Sequence, residues 1–177
     1  GGNDRYYVDS RYDKTLELAN GGEDEVFSTV SLTLANEIEH LTLQGTALGG
    51  TGNALANRLT GNASGNTLKG NAGEDVLDGG AGADVLQGGS EADLLLGGAG
   101  NDRLEGGDGA DILTGGAGND GLLGGSGDDE YRLGRGSAVD TLTDNDATPG
   151  NRDVLLFDDA SVKRDQLWFR QVGSDLE

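Results

Sequence analysis

Apolar residues recur at every ninth position through the middle of the chain. Leucine fills this position eight times in succession and a tyrosine follows: Leu59, Leu68, Leu77, Leu86, Leu95, Leu104, Leu113, Leu122 and Tyr131. Six glycine-rich residues separate successive apolar triplets, and glycine permits tight turns because it tolerates positive φ. We therefore predict that each nine-residue unit is a turn followed by a three-residue strand, whose middle side chain points inward.

A single unit of this kind cannot bury its leucine alone, so the units must stack on one another. Two units make one coil with strands on opposite faces, and each unit then lies against the unit two places along the chain. The prediction is an all-β fold, a right-handed parallel β-roll or β-solenoid with two parallel sheets around a thin leucine seam. Regular units run from Gly79 to Arg132, and weaker units begin at Gly52, Gly61 and Gly70.

The pattern divides the chain into four parts. We expect irregular solenoid coils over 1–48, with strands over 5–8, 15–18, 25–34 and 38–43, and degenerate asparagine-rich repeats over 49–78. The regular repeats follow over 79–132, and 133–177 is expected to cover the open end of the solenoid, as terminal units of repeat proteins must. The residues predicted to form this cap are Leu155, Leu156, Phe157, Leu167, Trp168 and Phe169.

The composition indicates that this fold needs a cation. Glycine makes up 34 of 177 residues, aromatic residues make up 5%, and the net charge is -20. Such a chain buries too little apolar surface to offset its conformational entropy, and disorder would be expected unless something neutralises the acid. The acid excess argues against nucleic acid and anionic membranes as partners. No stretch approaches the ~18 apolar residues of a membrane span, and the chain has no cysteine, so disulfides and thiolate sites are excluded.

Aspartate occupies the sixth position of seven successive units. With alternate units stacked, these residues form two columns, one of Asp84, Asp102 and Asp120 and the other of Asp75, Asp93, Asp111 and Asp129. Two carboxylates and several turn carbonyls would line each gap between coils. Ca²⁺ accepts about six to eight hard oxygen ligands in irregular geometry, whereas Mg²⁺ needs a tighter octahedron. We predict about five or more Ca²⁺ ions, in the slots 75/93, 84/102, 93/111, 102/120 and 111/129, with Asp129 closing its column.

The units resemble the nonapeptide G-G-x-G-x-D-x-U-x of the repeats-in-toxin (RTX) family, whose known repeats bind Ca²⁺. Five match in full, those starting at Gly79, Gly97, Gly106, Gly115 and Gly124, whereas the unit at Gly88 has Glu91 in place of glycine. The resemblance implies that carbonyls of positions one and three face one neighbouring coil and those of two and four face the other. The carbonyl ligands it implies are those of Gly79, Gly80, Ala81, Gly82, Gly88, Gly97, Gly98, Ala99, Gly100, Gly106, Gly107, Asp108, Gly109, Gly115, Gly116, Ala117, Gly118, Gly124 and Ser126.

The two units before Gly70 depart from this pattern. Asn57 and Asn66 replace the aspartate, and a neutral amide is a poorer ligand for Ca²⁺. We predict metal-poor coils over 52–69, in which stacked asparagine side chains bond in ladders. The sequence does not decide whether the slot 66/84 also binds an ion.

The resemblance also implies a function. The chain would be a structural, non-enzymatic module of a larger bacterial protein that is secreted or attached to the cell surface, with type I secretion as the route. It would fold on Ca²⁺ outside the cell and support neighbouring domains of that protein. The alternative is a module that binds extracellular polysaccharide, for which Tyr6, Tyr7 and Tyr12 are the clustered candidates. We find no set of nucleophile, base and orienting residue, and we interpret the sole histidine, His40, as an exposed strand residue.

Overall fold

The computed structural model of the chain describes residues 1–18, 21–133, 139–144, 146 and 151–157. Within these ranges the chain forms sixteen strands and no helix. In chain order, the strands are β1 (Arg5–Val8), β2 (Glu25–Ser28), β3 (Leu32–Thr33), β4 (His40–Leu43), β5 (Gly49–Thr51), β6 (Arg58–Thr60), β7 (Thr67–Ala72), β8 (Val76–Ala81), β9 (Val85–Ser90), β10 (Leu94–Ala99), β11 (Arg103–Asp108), β12 (Ile112–Ala117), β13 (Gly121–Ser126), β14 (Glu130–Leu133), β15 (Thr141–Thr143) and β16 (Val154–Phe157).

The strands form two parallel sheets that wind into a β-solenoid. One sheet has nine strands in the order β1-β2-β4-β6-β8-β10-β12-β14-β16, and the other has seven in the order β15-β13-β11-β9-β7-β5-β3. Leu95 lies between Leu77 and Leu113 in the first sheet, so neighbouring strands are offset by two nine-residue units. This register confirms the predicted solenoid and its stacking of alternate units.

The core is a single file of side chains between the two sheets. Each repeat leucine has at most 1% of its surface exposed, and Tyr131 continues the file at 3%. Val26, Ile38 and Leu41 extend it toward the amino terminus, and each is at most 1% exposed. The eighth position of each unit is therefore the inward one, as predicted.

The strands of the central coils are twice as long as predicted. Strands β7 to β13 each span six residues, because the ladder continues through the two glycines and the third position of the next unit. The N–H of Gly100 donates to the carbonyl of Ala117 at 2.8 Å, and that of Gly109 donates to Ser126 at 2.7 Å. Positive φ at the second glycine, 101° at Gly98, lets the chain bend without leaving the ladder. The turn itself is only the fourth to sixth positions.

The terminal parts depart from the regular register. Arg5 lies opposite Glu25, and Glu130 lies opposite Val154, so these two coils are longer than eighteen residues. The coil from Glu25 to His40 is shorter. The strand predicted over 15–18 is wrong, since this stretch is a loop in which Leu16 and Leu18 are more than three-quarters exposed.

The predicted cap is only partly within the described residues. Leu155 packs against the core from β16, which adds a further strand to the nine-stranded sheet. Leu156 and Phe157 belong to the same strand, and Leu167, Trp168 and Phe169 lie outside the described residues. No helix in the described ranges has the length and apolarity of a membrane span.

Candidate metal centres

The repeat aspartates are buried at the point where each turn enters its strand. Asp75 directly precedes β8, Asp84 precedes β9, and the pattern continues to Asp129 before β14. All seven have between 1% and 3% of their surface exposed. Because strands of one sheet align in register, the aspartates of each sheet stand in a column along one edge of the solenoid. Sequence spacing predicted the two columns correctly.

One oxygen of each carboxylate binds the preceding coil. The Oδ1 atom of Asp93 accepts the backbone N–H of Asp75 at 2.7 Å, and Oδ1 of Asp102 accepts that of Asp84 at 2.8 Å. The same bond recurs along both columns, with Asp75, Asp84, Asp111, Asp120 and Asp129 as acceptors. The side chains therefore tie successive coils together at the turn.

The second oxygen has no hydrogen-bond partner within the described part of the chain. This holds for the Oδ2 atoms of Asp75, Asp84, Asp93, Asp102, Asp111 and Asp120, all of which are buried. A buried polar atom without a partner is costly, and a buried charge without one is more so. The columns thus present six oxygens that require a positive partner.

The first glycine of each unit keeps open the place where carboxylate and carbonyl oxygens converge. A Cβ atom on Gly79 would lie 2.5 Å from Oδ2 of Asp84 and 2.7 Å from the carbonyl oxygen of Gly97. A side chain would fill this gap. The carbonyl of Gly97, a first-position residue, therefore points back toward the preceding coil, close to the unpartnered carboxylate oxygen.

The other turn carbonyls alternate in direction. The second-position carbonyl of Gly80 lies against Gly98 of the following coil, and a Cβ at Gly98 would clash with it. The fourth-position carbonyl of Gly82 lies in the same way against Gly100. Third-position carbonyls point backward, since Ala99 accepts the N–H of Gly82 at 2.8 Å. Each gap therefore receives carbonyl oxygens from both coils, although their role as calcium ligands stays a prediction.

Burial raises the pKa of the repeat carboxyl groups. It raises the pKa of Asp93 and Asp129 to about 7 and that of Asp75, Asp102 and Asp111 to about 6, with repulsion from neighbouring carboxylates adding to the shift. The pKa values of Asp84 and Asp120 also rise, again through burial. The backbone N–H bond to each carboxylate lowers the pKa and offsets part of this effect. Without a cation, the columns therefore resist carrying their full charge.

The donor atoms suit Ca²⁺. Carboxylate and carbonyl oxygens are hard ligands, and neither histidine nor cysteine lies in the repeats. Ca²⁺ accepts many such oxygens at irregular angles, and its charge would reverse the cost of ionising buried carboxylates. The residues and the gaps between the coils fit this ion.

In the asparagine units, other protein groups provide the hydrogen-bond partners of the asparagine side chains. The Nδ2 group of Asn66 donates to the carbonyl of Ala47 at 2.9 Å, and its Oδ1 accepts the N–H of Asn62 at 2.7 Å. Asn57 bonds in the same way to Ile38 and Asn53. The predicted asparagine ladder is wrong, because these bonds go to the backbone of neighbouring loops. The Nδ2 group of each asparagine thus faces the preceding coil, whereas the other units place a carboxylate oxygen there. This difference supports the expectation of metal-poor coils.

The irregular unit at Gly88 keeps the repeat conformation. Glu91 has φ of 73°, in the left-handed region that glycine favours, and its carbonyl still faces Gly109. Its Oε2 accepts the N–H of Gly73 at 2.9 Å and the hydroxyl of Ser90 at 2.9 Å. The substitution strains one residue without removing the two adjoining gaps.

Two further aspartates prolong the columns, and the sequence pattern missed them. Oδ1 of Asp140 accepts the N–H of Asp120 at 3.1 Å, and Oδ1 of Asp153 accepts the N–H of Asp129 at 3.0 Å. Asp129 is therefore not the last member of its column. Both residues directly precede a strand, which was the available signal, but their spacing departs from the repeat.

Comparison with known protein families supports this reading of the repeats. The family model described as the RTX calcium-binding nonapeptide repeat matches the sequence four times, over 51–86, 87–122, 96–131 and 106–139. Together these matches span about half the chain. Searches of curated proteins and of solved structures found no match.

Proposed function

The chain belongs to the RTX calcium-binding nonapeptide repeat family, and on this premise we propose that it is a calcium-dependent folding module of a larger secreted or cell-surface bacterial protein. Its general nature, a calcium-binding structural module built as a β-solenoid, follows from the family and the fold. The proposal adds three points to this: the chain folds outside the cell, it is exported by type I secretion, and it supports a neighbouring domain.

The observation that carries the proposal is the set of unpartnered Oδ2 atoms in the aspartate columns. Bound Ca²⁺ would supply the positive charge that these buried oxygens lack. At a calcium concentration about tenfold above Kd, each independent site adds about 1.4 kcal/mol to stability. About five sites would add about 7 kcal/mol, which is comparable to the whole net stability of an ordinary domain.

Calcium levels then decide where the chain folds. Extracellular calcium modules typically have Kd values of ~10⁻⁴ to 10⁻³ M. At the low calcium level of the cytosol, the carboxylates repel one another and the thin leucine file does not hold the coils. An unfolded chain suits export by type I secretion. Outside the cell, the carboxylates bind Ca²⁺, and the folded solenoid spaces or stabilises the domain attached to it.

A structural role suits the residues better than catalysis does. The repeat aspartates are engaged with the backbone of the preceding coil through Oδ1. His40 begins β4, and its Nε2 lies 3.2 Å from Oε2 of Glu23, with the imidazole half-buried rather than exposed. A contact with a carboxylate at a strand end is a structural use of histidine.

Polysaccharide binding remains the alternative function. Tyr7 stacks on Phe27 with ring centroids 5.3 Å apart and is 72% exposed, which offers a small aromatic surface. The three tyrosines do not act together, however, since the hydroxyl of Tyr6 is directed to Glu17 at 2.6 Å. Retention on columns of charged polysaccharides in excess calcium, lost in Tyr7→Ala, would favour this alternative.

A calcium titration tests the proposed function. Chelator-treated protein should gain β-type circular dichroism as CaCl₂ is added, with a midpoint in the range of ~10⁻⁴ to 10⁻³ M. MgCl₂ at the same concentrations serves as the control and should leave the spectrum near that of the chelated chain. An unchanged spectrum on addition of calcium would refute calcium-coupled folding.

A further inference from the structure

A second group of carboxylates lies in the first two coils, outside residues 51–139 that match the family. Asp4, Glu17 and Asp24 each place an oxygen within 4.8 Å of the oxygens of the other two. Asp4 is exposed at the surface, whereas Asp24 has no exposed surface. A buried acid between two other acids requires a positive partner.

Asp24 has the same bonding as the repeat aspartates. It directly precedes β2, and its Oδ1 accepts the backbone N–H of Asp4 at 2.8 Å. Its Oδ2 is buried and has no hydrogen-bond partner within the described residues. In the same way, Oδ1 of Asp93 accepts the N–H of Asp75, and Oδ2 of Asp93 has no partner within the described residues. The first gap of the solenoid therefore presents the same unpartnered carboxylate oxygen as the gaps of the repeats.

The glycines of these coils direct their carbonyls as the repeats do. Gly21 accepts the N–H of Gly2, so its carbonyl points back to the first coil. A Cβ on Gly22 would lie 2.8 Å from the carbonyl oxygen of Gly2, which therefore points forward. The dipeptides Gly1-Gly2 and Gly21-Gly22 take the part of the paired glycines, although the turns that follow them are shorter than a nonapeptide turn.

Glu17 enters this gap from the loop between β1 and β2. Its Oε1 accepts the hydroxyl of Tyr6 at 2.6 Å, and its Oε2 accepts the N–H of Leu18 at 3.1 Å. These two hydrogen bonds fix the position of the Glu17 carboxylate at the gap.

We propose that Asp4, Glu17 and Asp24 bind one further Ca²⁺ ion, which fastens the first coil of the solenoid to the second. The inference adds a site to those of the proposed function and rests on observations made outside the repeats. Three carboxylates meet here, whereas each repeat gap has two. Because calcium affinity rises with ligand charge, this site should fill at a lower calcium concentration than the repeat gaps.

Terbium luminescence gives this site its own signal. Tb³⁺ replaces Ca²⁺ at oxygen sites and emits when a nearby tyrosine absorbs, and the Tyr6 hydroxyl is 2.6 Å from a proposed ligand. The full chain should show tyrosine-sensitised emission that Tyr6→Phe reduces. Glu17→Gln and Asp4→Asn should also reduce it, and equilibrium dialysis with radioactive calcium should count one ion fewer per chain in both. Asp4 is exposed, so its substitution carries little risk to the fold.

The controls separate this site from the repeats. Asp9→Asn removes the same charge from the same coil at an exposed position and should leave ion count and emission unchanged. Asp102→Asn should reduce the ion count but not the Tyr6 signal. If Glu17→Gln and Asp4→Asn both keep the full ion count and emission, the inference is wrong even where Asp102→Asn loses ions. If Asp102→Asn loses none, the proposed function fails separately.

Discussion

Neutralising one aspartate should cost more stability in the middle of a column than beside an asparagine unit. Asp102 borders the gaps toward Asp84 and Asp120, and both contain a second carboxylate. Asp84 borders one such gap, because its other neighbour is Asn66. Asparagine is the conservative replacement, since the chain itself carries it at this position. At calcium tenfold above Kd, Asp102→Asn should lose two sites, about 2.8 kcal/mol, and Asp84→Asn one, about 1.4 kcal/mol.

Urea unfolding followed by circular dichroism measures this difference. The two variants form a matched pair, because each aspartate accepts one backbone N–H, at 2.8 Å in Asp102 and 2.6 Å in Asp84. Repeating the experiment at lower calcium should shrink both losses, since the stabilisation by each site is RT ln(1 + [Ca²⁺]/Kd) and falls with the calcium concentration. Equal losses in the two variants, or a difference that calcium does not alter, would refute the assignment of two carboxylates to each gap.

Three other changes test the fold and its charge. Leu104→Ala should destabilise the calcium-bound form by about 2 to 5 kcal/mol in urea unfolding, because Leu104 has no exposed surface; a negligible loss would place it outside the core. Burial raises the pKa of Asp93 and Asp129 from the ordinary 3.8 to about 7, so the stability they give the calcium-free coils is present below pH 3.8 and lost as the pH rises through 7. Protons should therefore compete with Ca²⁺, so the calcium concentration at the midpoint of a titration should rise as the pH is lowered from 7.5 to 5. A constant midpoint would contradict this. Glu91→Gly should raise the unfolding free energy by about 1 kcal/mol through release of the φ of 73°, and a lower melting temperature in excess calcium would contradict it.

The periodic part of the chain could be predicted from sequence because one number fixes it. A repeat of nine residues with two strands per coil sets the register of eighteen, and this register places Leu95 beside Leu77 and Asp93 beside Asp75. Burial of the leucines and alignment of the aspartates then follow from strand geometry. The length of the strands does not follow from the repeat length, since it depends on hydrogen bonds between adjacent coils, such as that from Gly100 to Ala117.

The ends could not be predicted because their coils have no common length. Asp24, Asp140 and Asp153 continue the columns, but none is eighteen residues from its neighbour. The stretch from Thr15 to Leu18 alternates like a strand, yet only Thr15 is buried. Alternation indicates a strand only where a neighbouring strand is available to pair, and a loop that brings Glu17 to Tyr6 has none in the described residues.

Hydrogen exchange of the coil-to-coil N–H groups tests the central claim most directly, namely that cations between coils hold the solenoid together. The N–H groups of Asp75, Asp84, Asp93, Asp102 and Asp111 each donate to the carboxylate of the next coil. In excess calcium they should exchange slowly, as buried hydrogen-bonded amides do. In excess EGTA they should exchange at the rates of an unfolded chain. Equal protection in both conditions would show that the leucine file alone holds the coils, and would contradict the account.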